Sequence, residues 1–225
     1  MGWLWTFTNS SIGKKFVMAV TGLLVILFLL IHLAGNLTLY WGEGAFNGYV
    51  SVLDIFKPII RIIEVILTLI FIFHIYDGIR LWYENKKAKS IRYKINASSE
   101  NSTFSSRWMI WTGGIIFIFL VMHLSTFWYA FNFSGKTEVD GIEQYYNIVT
   151  TWFQSPVYAV SYIIAMIFLG FHLNHAFQSF FQTFGWNHKK YTPFIKKFGT
   201  FFAIVMAVGF ASIPIYFFIS SLGGK

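Results

Sequence analysis

Five long apolar segments alternate with polar ones along this chain. A helix that spans a membrane needs about 20 mostly apolar residues. Five segments are long enough, at about 14–41, 57–84, 107–133, 155–184 and 193–222. The pattern predicts an all-α integral membrane bundle of five transmembrane helices, forming a single domain over residues 1–225.

Local signals mark the ends of the last two segments. Ser155 followed by Pro156 is typical of a helix N-cap and first-turn proline, and Gly185 is typical of a helix stop. Thr192 followed by Pro193 opens the fifth segment in the same way. These signals predict a short connection between the fourth and fifth spans.

The composition agrees with a membrane protein. Charged residues make up 12% of the chain, against about 25% in soluble domains. The chain has no cysteine, which excludes disulfides, cysteine–zinc sites and an iron–sulfur cluster held by this chain alone. The first apolar stretch is too long for the core of a cleavable signal peptide, so no such signal is predicted.

The basic residues predict the orientation of the bundle. If the N-terminus is cytoplasmic, 13 basic residues lie inside and four lie outside. The inner set is Lys14, Lys15, Arg80, Lys86, Lys87, Lys89, Arg92, Lys94, Arg107, Lys189, Lys190, Lys196 and Lys197; the outer set is Lys57, Arg61, Lys136 and Lys225. The positive-inside rule therefore favours an inner N-terminus and an outer C-terminus. The net charge of +8 is explained as a topology signal and does not indicate nucleic-acid binding.

Four of the six histidines lie well inside the predicted spans, one in each of the first four: His32, His74, His123 and His172. Polar residues inside a membrane are costly and usually functional, although a histidine can also simply hydrogen-bond a neighbouring helix. Their depths separate these two interpretations.

Two of these histidines belong to the outer half of the membrane. His32 lies 18 residues beyond Lys14 on the first span, and His123 lies 16 residues beyond Arg107 on the third. Both spans run outward, so both side chains are predicted to lie about 24–27 Å from the inner end.

The other two belong to the inner half. The second and fourth spans run inward from about Lys57 and Ser155, and His74 and His172 each lie 17 residues along them. Bis-histidine haem ligation needs two imidazoles at one depth on different helices. The depths therefore predict two b haems, an inner one held by this pair and an outer one held by the other pair.

A spacing repeat supports this interpretation. The dipeptide Thr-Gly occurs before both outer histidines, as Thr21-Gly22 and as Thr112-Gly113. Gly22 lies ten residues before His32, and Gly113 lies ten residues before His123. Ten residues of helix rise about 15 Å, which brings Gly22 and Gly113 to the level of the inner pair. A glycine there would let a macrocycle approach the backbone, although small residues also serve ordinary helix packing.

His175 is an alternative to His172, because it lies three residues further along nearly the same helix face. The depth of His172 matches that of His74 better. His188 stands among lysines beyond Gly185, as expected of an interfacial loop residue.

Several motifs resemble one known family. They are Ser-Ile-Gly-Lys-Lys (11–15), Thr-Gly (21–22), His-Leu-Ala-Gly-Asn-Leu (32–37), Ser-Arg (106–107), His-Leu (123–124) with Phe-Trp (127–128), and the run from Phe171 to Asn187. In order and spacing they resemble the di-haem cytochrome b membrane anchor of succinate dehydrogenase and fumarate reductase, over nearly the whole chain.

The resemblance implies that His32, His74, His123 and His172 are the axial haem ligands. In this family the ligand of the fourth helix lies thirteen residues before a glycine, which fits His172 and Gly185 but not His175. The family usually has glycine four residues after this ligand, where this chain has Ala176.

The resemblance also implies partners and a location. A flavoprotein and an iron–sulfur protein would bind the cytoplasmic face of a bacterial inner membrane, with menaquinone as the usual quinone. Succinate would be oxidised on the flavoprotein. This subunit of respiratory complex II would then carry electrons and contribute the quinone site, without catalysing succinate oxidation by itself.

Two charged side chains inside the second span are further site candidates. Quinone chemistry exchanges protons, and Glu64 is a rare intramembrane carboxylate in the outer half, so it is a candidate proton relay. Arg61 lies one turn away and would equally well form a structural ion pair with it. Arg80 is a candidate partner for a haem propionate at the inner end, with snorkelling to the interface as the alternative.

Two rival functions remain at this stage. One is a di-haem cytochrome b of a hydrogenase or formate dehydrogenase type, which would differ in histidine order and helix count. The other is a transporter without haem, which would usually show inverted repeats, broken helices or charge rings.

Overall fold

A computed structural model of the protein describes residues 2–88, 104–133, 138–139 and 142–223. Several charges used for the orientation argument, namely Lys89, Arg92, Lys94, Lys136 and Lys225, lie outside the described residues. Within the described residues, the fold is all-helical apart from one pair of two-residue strands.

The helices, in chain order, are α1 (Trp3–Asn9), α2 (Ser11–Leu37), α3 (Glu43–Ile55), α4 (Lys57–Ala88), α5 (Phe104–Arg107), α6 (Met109–His123), α7 (Tyr129–Phe133), α8 (Tyr145–Phe153), α9 (Pro156–Thr183) and α10 (Thr192–Gly223). A 3₁₀ turn follows α2 at Thr38–Trp41, and a π-helical turn joins α6 to α7 at Leu124–Trp128. Strands β1 (Glu138–Val139) and β2 (Ile142–Glu143) pair antiparallel.

In the part of the chain that the structure describes, five helical segments are long and apolar enough to span a membrane. They are Ser11–Trp41, Lys57–Lys87, Met109–Phe133, Pro156–Thr183 and Thr192–Gly223. These bounds confirm the five predicted spans, with differences of only a few residues at their ends. The protein is thus a multi-pass membrane protein by the length and composition of its helices. Pro214 lies inside α10 without ending it.

The predicted end signals of α9 are confirmed in position. Ser155 is its N-cap residue, although its side chain makes no capping hydrogen bond, and Pro156 is the first helical residue. Gly185 has a φ of 72°, and the amides of Gly185 and Trp186 donate to the carbonyls of Gln182 and Phe181. This is the paired hydrogen bonding of a Schellman motif, which needs the left-handed conformation that glycine adopts without strain.

The bundle is organised around α9. This helix packs along α10 and also contacts α6 and α2, while α4 packs mainly against α2. Its buried face repeats at helical spacing, with Tyr162, Ala165, Met166, Leu169 and Leu173. The apolar side chains of α4 are largely exposed, as expected of a helix face that meets lipid.

Two connecting helices were missed by the sequence interpretation because each is too short to span a membrane. Helices α3 and α8 pack against one another beyond the ends of the spans that the charge pattern predicts to face outward. The Asn47 side chain accepts a hydrogen bond from the Tyr146 amide at 2.8 Å, and the Tyr145 hydroxyl donates to Asp54 at 2.6 Å. Together they form a cap over the outer half of the bundle.

The carboxyl group of Asp54 in this cap is held in its charged form. Burial acts to raise the pKa of Asp54, but hydrogen bonds from Tyr145 and Lys57 and the nearby charges of Lys57 and Arg61 outweigh it. The pKa of Asp54 therefore lies below its ordinary value.

Candidate functional site

The four intramembrane histidines come together as two pairs. The rings of His32 on α2 and His123 at the end of α6 have their centres 5.7 Å apart. The rings of His74 on α4 and His172 on α9 have their centres 6.2 Å apart. We call these the outer pair and the inner pair. The structure brings together the same residues that the depth argument paired.

The ring separations suit one metal ion between each pair. An imidazole nitrogen binds a metal at about 2 Å, so each ring centre lies about 3 Å from the metal and two opposed rings lie about 6 Å apart. Each pair offers two imidazole donors on two different helices, and these could hold the iron of one b haem. The residues present therefore fit the cofactor that the sequence predicts.

Two threonines hold the rings of the inner pair. The Thr21 hydroxyl lies 3.3 Å from Nδ1 of His74, and the Thr112 hydroxyl lies 3.3 Å from Nδ1 of His172. Each hydroxyl also donates to a carbonyl of its own helix, Thr21 to Val17 at 2.8 Å and Thr112 to Met109 at 3.0 Å.

This arrangement assigns the tautomer of both inner histidines. A hydroxyl has one proton, and here that proton is committed to the backbone. Each threonine oxygen therefore accepts from Nδ1–H, which leaves Nε2 with a free lone pair. An Nδ1–H bonded to an oxygen acceptor is the usual outer-shell support of a metal-binding histidine.

The two glycines of the spacing repeat lie against the same two rings. A Cβ atom on Gly22 would be 3.5 Å from Cε1 of His74, and one on Gly113 would be 3.6 Å from Cε1 of His172. The glycines therefore let the ligand imidazoles lie close to the backbones of α2 and α6. The Thr-Gly pair acts twice in the same way, with threonine bonding the ring and glycine making room for it.

The outer pair has aromatic surroundings. Phe28 stacks on His32 with ring centres 5.2 Å apart, and Phe119 stacks on His123 at 5.7 Å. Phe210 of α10 and Phe127 of the π-helical turn also contact these rings. The outer centre is thus enclosed mainly by apolar side chains, which limit access of water.

Only one outer histidine has a dedicated Nδ1 partner among the described residues. Nδ1 of His123 lies 3.0 Å from the hydroxyl of Tyr162 on α9. The Asn36 amide lies 3.4 Å from both ring nitrogens of His32, so it is aligned with neither, and its strong bond is to the His32 carbonyl at 2.7 Å. The two outer ligands are therefore held differently.

The contacts also give the vertical distance between the pairs. Gly22 lies at the level of His74, and His32 lies ten residues further along the same helix. That separation is a rise of about 15 Å. The two pairs therefore lie one above the other across much of a membrane about 30 Å thick.

Of the two candidates on α9, His172 is the residue whose ring faces His74 and contacts both Thr112 and Gly113. His175 lies nearly one turn further along and is partly buried. His188 lies in the connection between α9 and α10, at an open depression of about 350 Å³ lined by Phe181, Gly185, Trp186, Asn187, His188, Tyr191 and Ile195.

Arg80 lies at the inner end of α4 with protein partners. Its Nε donates to Glu84 at 3.2 Å, and its Nη2 donates to Asn9 of α1 at 2.6 Å. Lys14, which is only 6% exposed, forms an ion pair with the same Glu84. This network joins α1, α2 and α4, and Arg80 keeps further N–H donors for an anionic group at the inner surface.

Glu64 is engaged at both carboxylate oxygens. Arg61 donates to one oxygen at 2.6 Å and the Trp128 indole donates to the other at 3.1 Å. Arg61 also donates to Asn132 at 2.5 Å. The group thus joins α4 to the outer end of the third span.

Some site residues were not anticipated from the sequence. The Thr-Gly repeat was recognised, but the repeat also includes phenylalanine four residues before each outer histidine, Phe28 and Phe119. A full comparison of the two segments would have found them. Tyr162 had no such signal, because it lies on a different helix from the histidine that it contacts.

Comparison with models of protein families, with curated proteins and with solved structures gives no match to this chain.

Proposed function

We propose that this chain is the membrane anchor and electron-transfer subunit of a succinate:quinone oxidoreductase. In this proposal it carries electrons between an iron–sulfur partner subunit and menaquinone, with two b haems bound by the two histidine pairs. The succinate site belongs to a flavoprotein partner at the cytoplasmic face of a bacterial inner membrane. The motif resemblance supports the identity of the enzyme.

The observation that carries the haem part of the proposal is the doubled pairing. One facing pair of histidines in a bundle has an ordinary explanation in helix packing. Two pairs, about 15 Å apart in height by helix rise, each on two helices and each with at least one supported Nδ1, support two redox centres on one path.

A b haem supplies a one-electron iron couple when it is bound. The protein's part is to bind, orient and insulate. His74 and His172 would hold the inner group, His32 and His123 the outer one. Thr21 and Thr112 keep the inner imidazoles in the tautomer that leaves Nε2 free, and the phenylalanines around the outer pair exclude water.

The contacts of Glu64 favour a structural tie over a proton relay. A relay must release and rebind its proton, whereas both Glu64 oxygens already accept hydrogen bonds, one from Arg61 on the same helix and one from Trp128 on the third span. We expect Glu64→Gln to retain most quinone reductase activity. A loss of turnover with both haems still bound would restore the relay hypothesis.

The haem proposal is tested by the pyridine-haemochrome and reduced-minus-oxidised spectra of the purified protein, with haem counted per polypeptide. We expect two b haems, and fewer in His32→Ala and His172→Ala. His175→Ala and His188→Ala are matched controls that should keep both. An intact, folded protein without haem would refute the proposal.

The identity of the enzyme needs a separate test. Membranes from cells that contain the protein with its partners should reduce its haems on addition of succinate. Co-purification of a flavoprotein and an iron–sulfur protein should accompany this. Two haems that are reduced by hydrogen or formate, but not by succinate, would favour the rival di-haem enzymes.

A further inference from the structure

A buried chain of hydroxyl groups starts at one outer histidine. Tyr162, whose hydroxyl lies 3.0 Å from Nδ1 of His123, lies 3.1 Å from the hydroxyl of Tyr158, one turn earlier on α9. Both tyrosines are less than 10% exposed.

The proposed function gives the direction of both hydrogen bonds from the histidine end. A His123 that holds a metal through Nε2 carries its proton on Nδ1, so Nδ1–H donates to the Tyr162 oxygen. The Tyr162 hydroxyl then donates its single proton to the Tyr158 oxygen.

The chain thus makes Tyr162 a better acceptor than an isolated phenol. A hydroxyl that donates to one neighbour accepts more strongly from another, because successive hydrogen bonds polarise each other. Aromatic rings keep water from competing for these hydrogen bonds. The ring centres of Phe153 and Tyr162 are 5.1 Å apart, and those of Phe127 and Tyr158 are 6.1 Å apart.

We propose that Tyr162 is a positioning residue which, polarised by its hydrogen bond to Tyr158, lowers the midpoint potential of the outer centre. The inference rests on the proposed haem-binding function. An acceptor on Nδ1–H increases electron donation by the imidazole to a bound metal and favours its oxidised state. The chain acts on His123 alone, so the effect should be confined to one of the two haems.

The test is a redox titration of the haem-loaded protein in isolated membranes, followed in the b-haem absorption band. We expect Tyr162→Phe to keep two haems and to raise one midpoint potential while the other stays as in the wild type. Thr112→Val, which removes an Nδ1 acceptor of the inner pair, should raise the other potential instead. This reciprocal pattern would not arise from a general loosening of the bundle.

Tyr158→Phe gives the second variant. It leaves the first hydrogen bond in place and removes its polarising neighbour, so it should shift the same haem in the same direction by a smaller amount. If Tyr162→Phe binds less haem, Tyr158→Phe decides the question. If the variant that retains both haems has the same two midpoint potentials as the wild type, the inference is overturned. If the wild-type protein itself binds no haem, the proposed function is overturned instead.

Discussion

The inner and outer pairs have similar ring separations, 6.2 and 5.7 Å, but different surroundings. Both inner imidazoles donate a hydrogen bond to a threonine hydroxyl, and each of those hydroxyls donates its own proton to a backbone carbonyl. In the outer pair, one imidazole is bonded to a chain of buried tyrosines, and the other has an amide aligned with neither ring nitrogen. The outer rings also stack on phenylalanines, where the inner ones lie against glycine.

This comparison shows how one ligand type can serve two centres with separate properties. Both proposed haem sites would use imidazole nitrogens as ligands. A difference between their midpoint potentials must then come from the residues that contact the imidazoles and from the local polarity. The inner site is built symmetrically from one repeated dipeptide, whereas the outer site is built from unlike partners. We therefore expect the two sites to respond to different substitutions.

The largest expected effect is steric and confined to the inner pair. In Gly113→Leu, side-chain atoms beyond Cβ would overlap the ring of His172, since Cβ itself would already lie 3.6 Å from it. We expect the inner haem to be lost and the outer one retained, as counted by the pyridine-haemochrome spectrum. Gly114→Leu is the matched control, because a Cβ atom there has no neighbour within 4 Å. Equal haem contents in the two variants would contradict the role assigned to Gly113.

A smaller effect is expected from removing the hydroxyls of the inner site. Thr21→Val and Thr112→Val keep the shape of the side chain and remove the Nδ1 acceptor of His74 or His172. Losing such a partner typically costs about 10–100-fold in metal affinity, so haem should dissociate more readily from the inner site. Haem transfer to an acceptor protein measures this. Thr68→Val is the control, since that hydroxyl bonds only to the Glu64 carbonyl.

The smallest effect concerns pH and the cap over the outer pair. The pKa of Asp54 is lowered in the folded protein. A lowered pKa means that the ionised carboxylate stabilises the fold above the ordinary pKa of about 3.8, and that this contribution is lost as the pH falls through the lowered folded value. We expect acid below about pH 4 to loosen α3 from α8 and to release the outer haem first. Tyr145→Phe should show less of this acid dependence; release of the inner haem first would contradict the prediction.

The sequence was most informative where one physical rule dominates. Long apolar runs predicted all five spans, since only a helix of about 20 residues satisfies its backbone within a membrane. Counting residues along the spans paired His32 with His123 and His74 with His172, because helix rise converts sequence distance directly into depth.

Contacts between helices were harder to predict, because they depend on the rotation of each helix about its axis. That rotation places Tyr162 against His123 and Tyr158 against Phe127, and no residue spacing along the chain indicates it. Helices α3 and α8 were missed for a different reason. They lie beyond the spans, where neither membrane length nor a strict apolar period marks a helix. Arg61 and Glu64 were recognised as a pair, but their third partner, Trp128, is far away in sequence.

The π-helical turn at Leu124–Trp128 has a consequence for insertions and deletions in this protein. A π-helical turn holds one residue more than an α-helical turn, so it rotates everything that follows by about 100° relative to a regular helix. Deleting one residue from this turn would therefore let it close as a regular α-helical turn and keep α7 in its present orientation. The turn is thus a place where the third span can lose a residue without rotating the segment that carries Asn132 to Arg61.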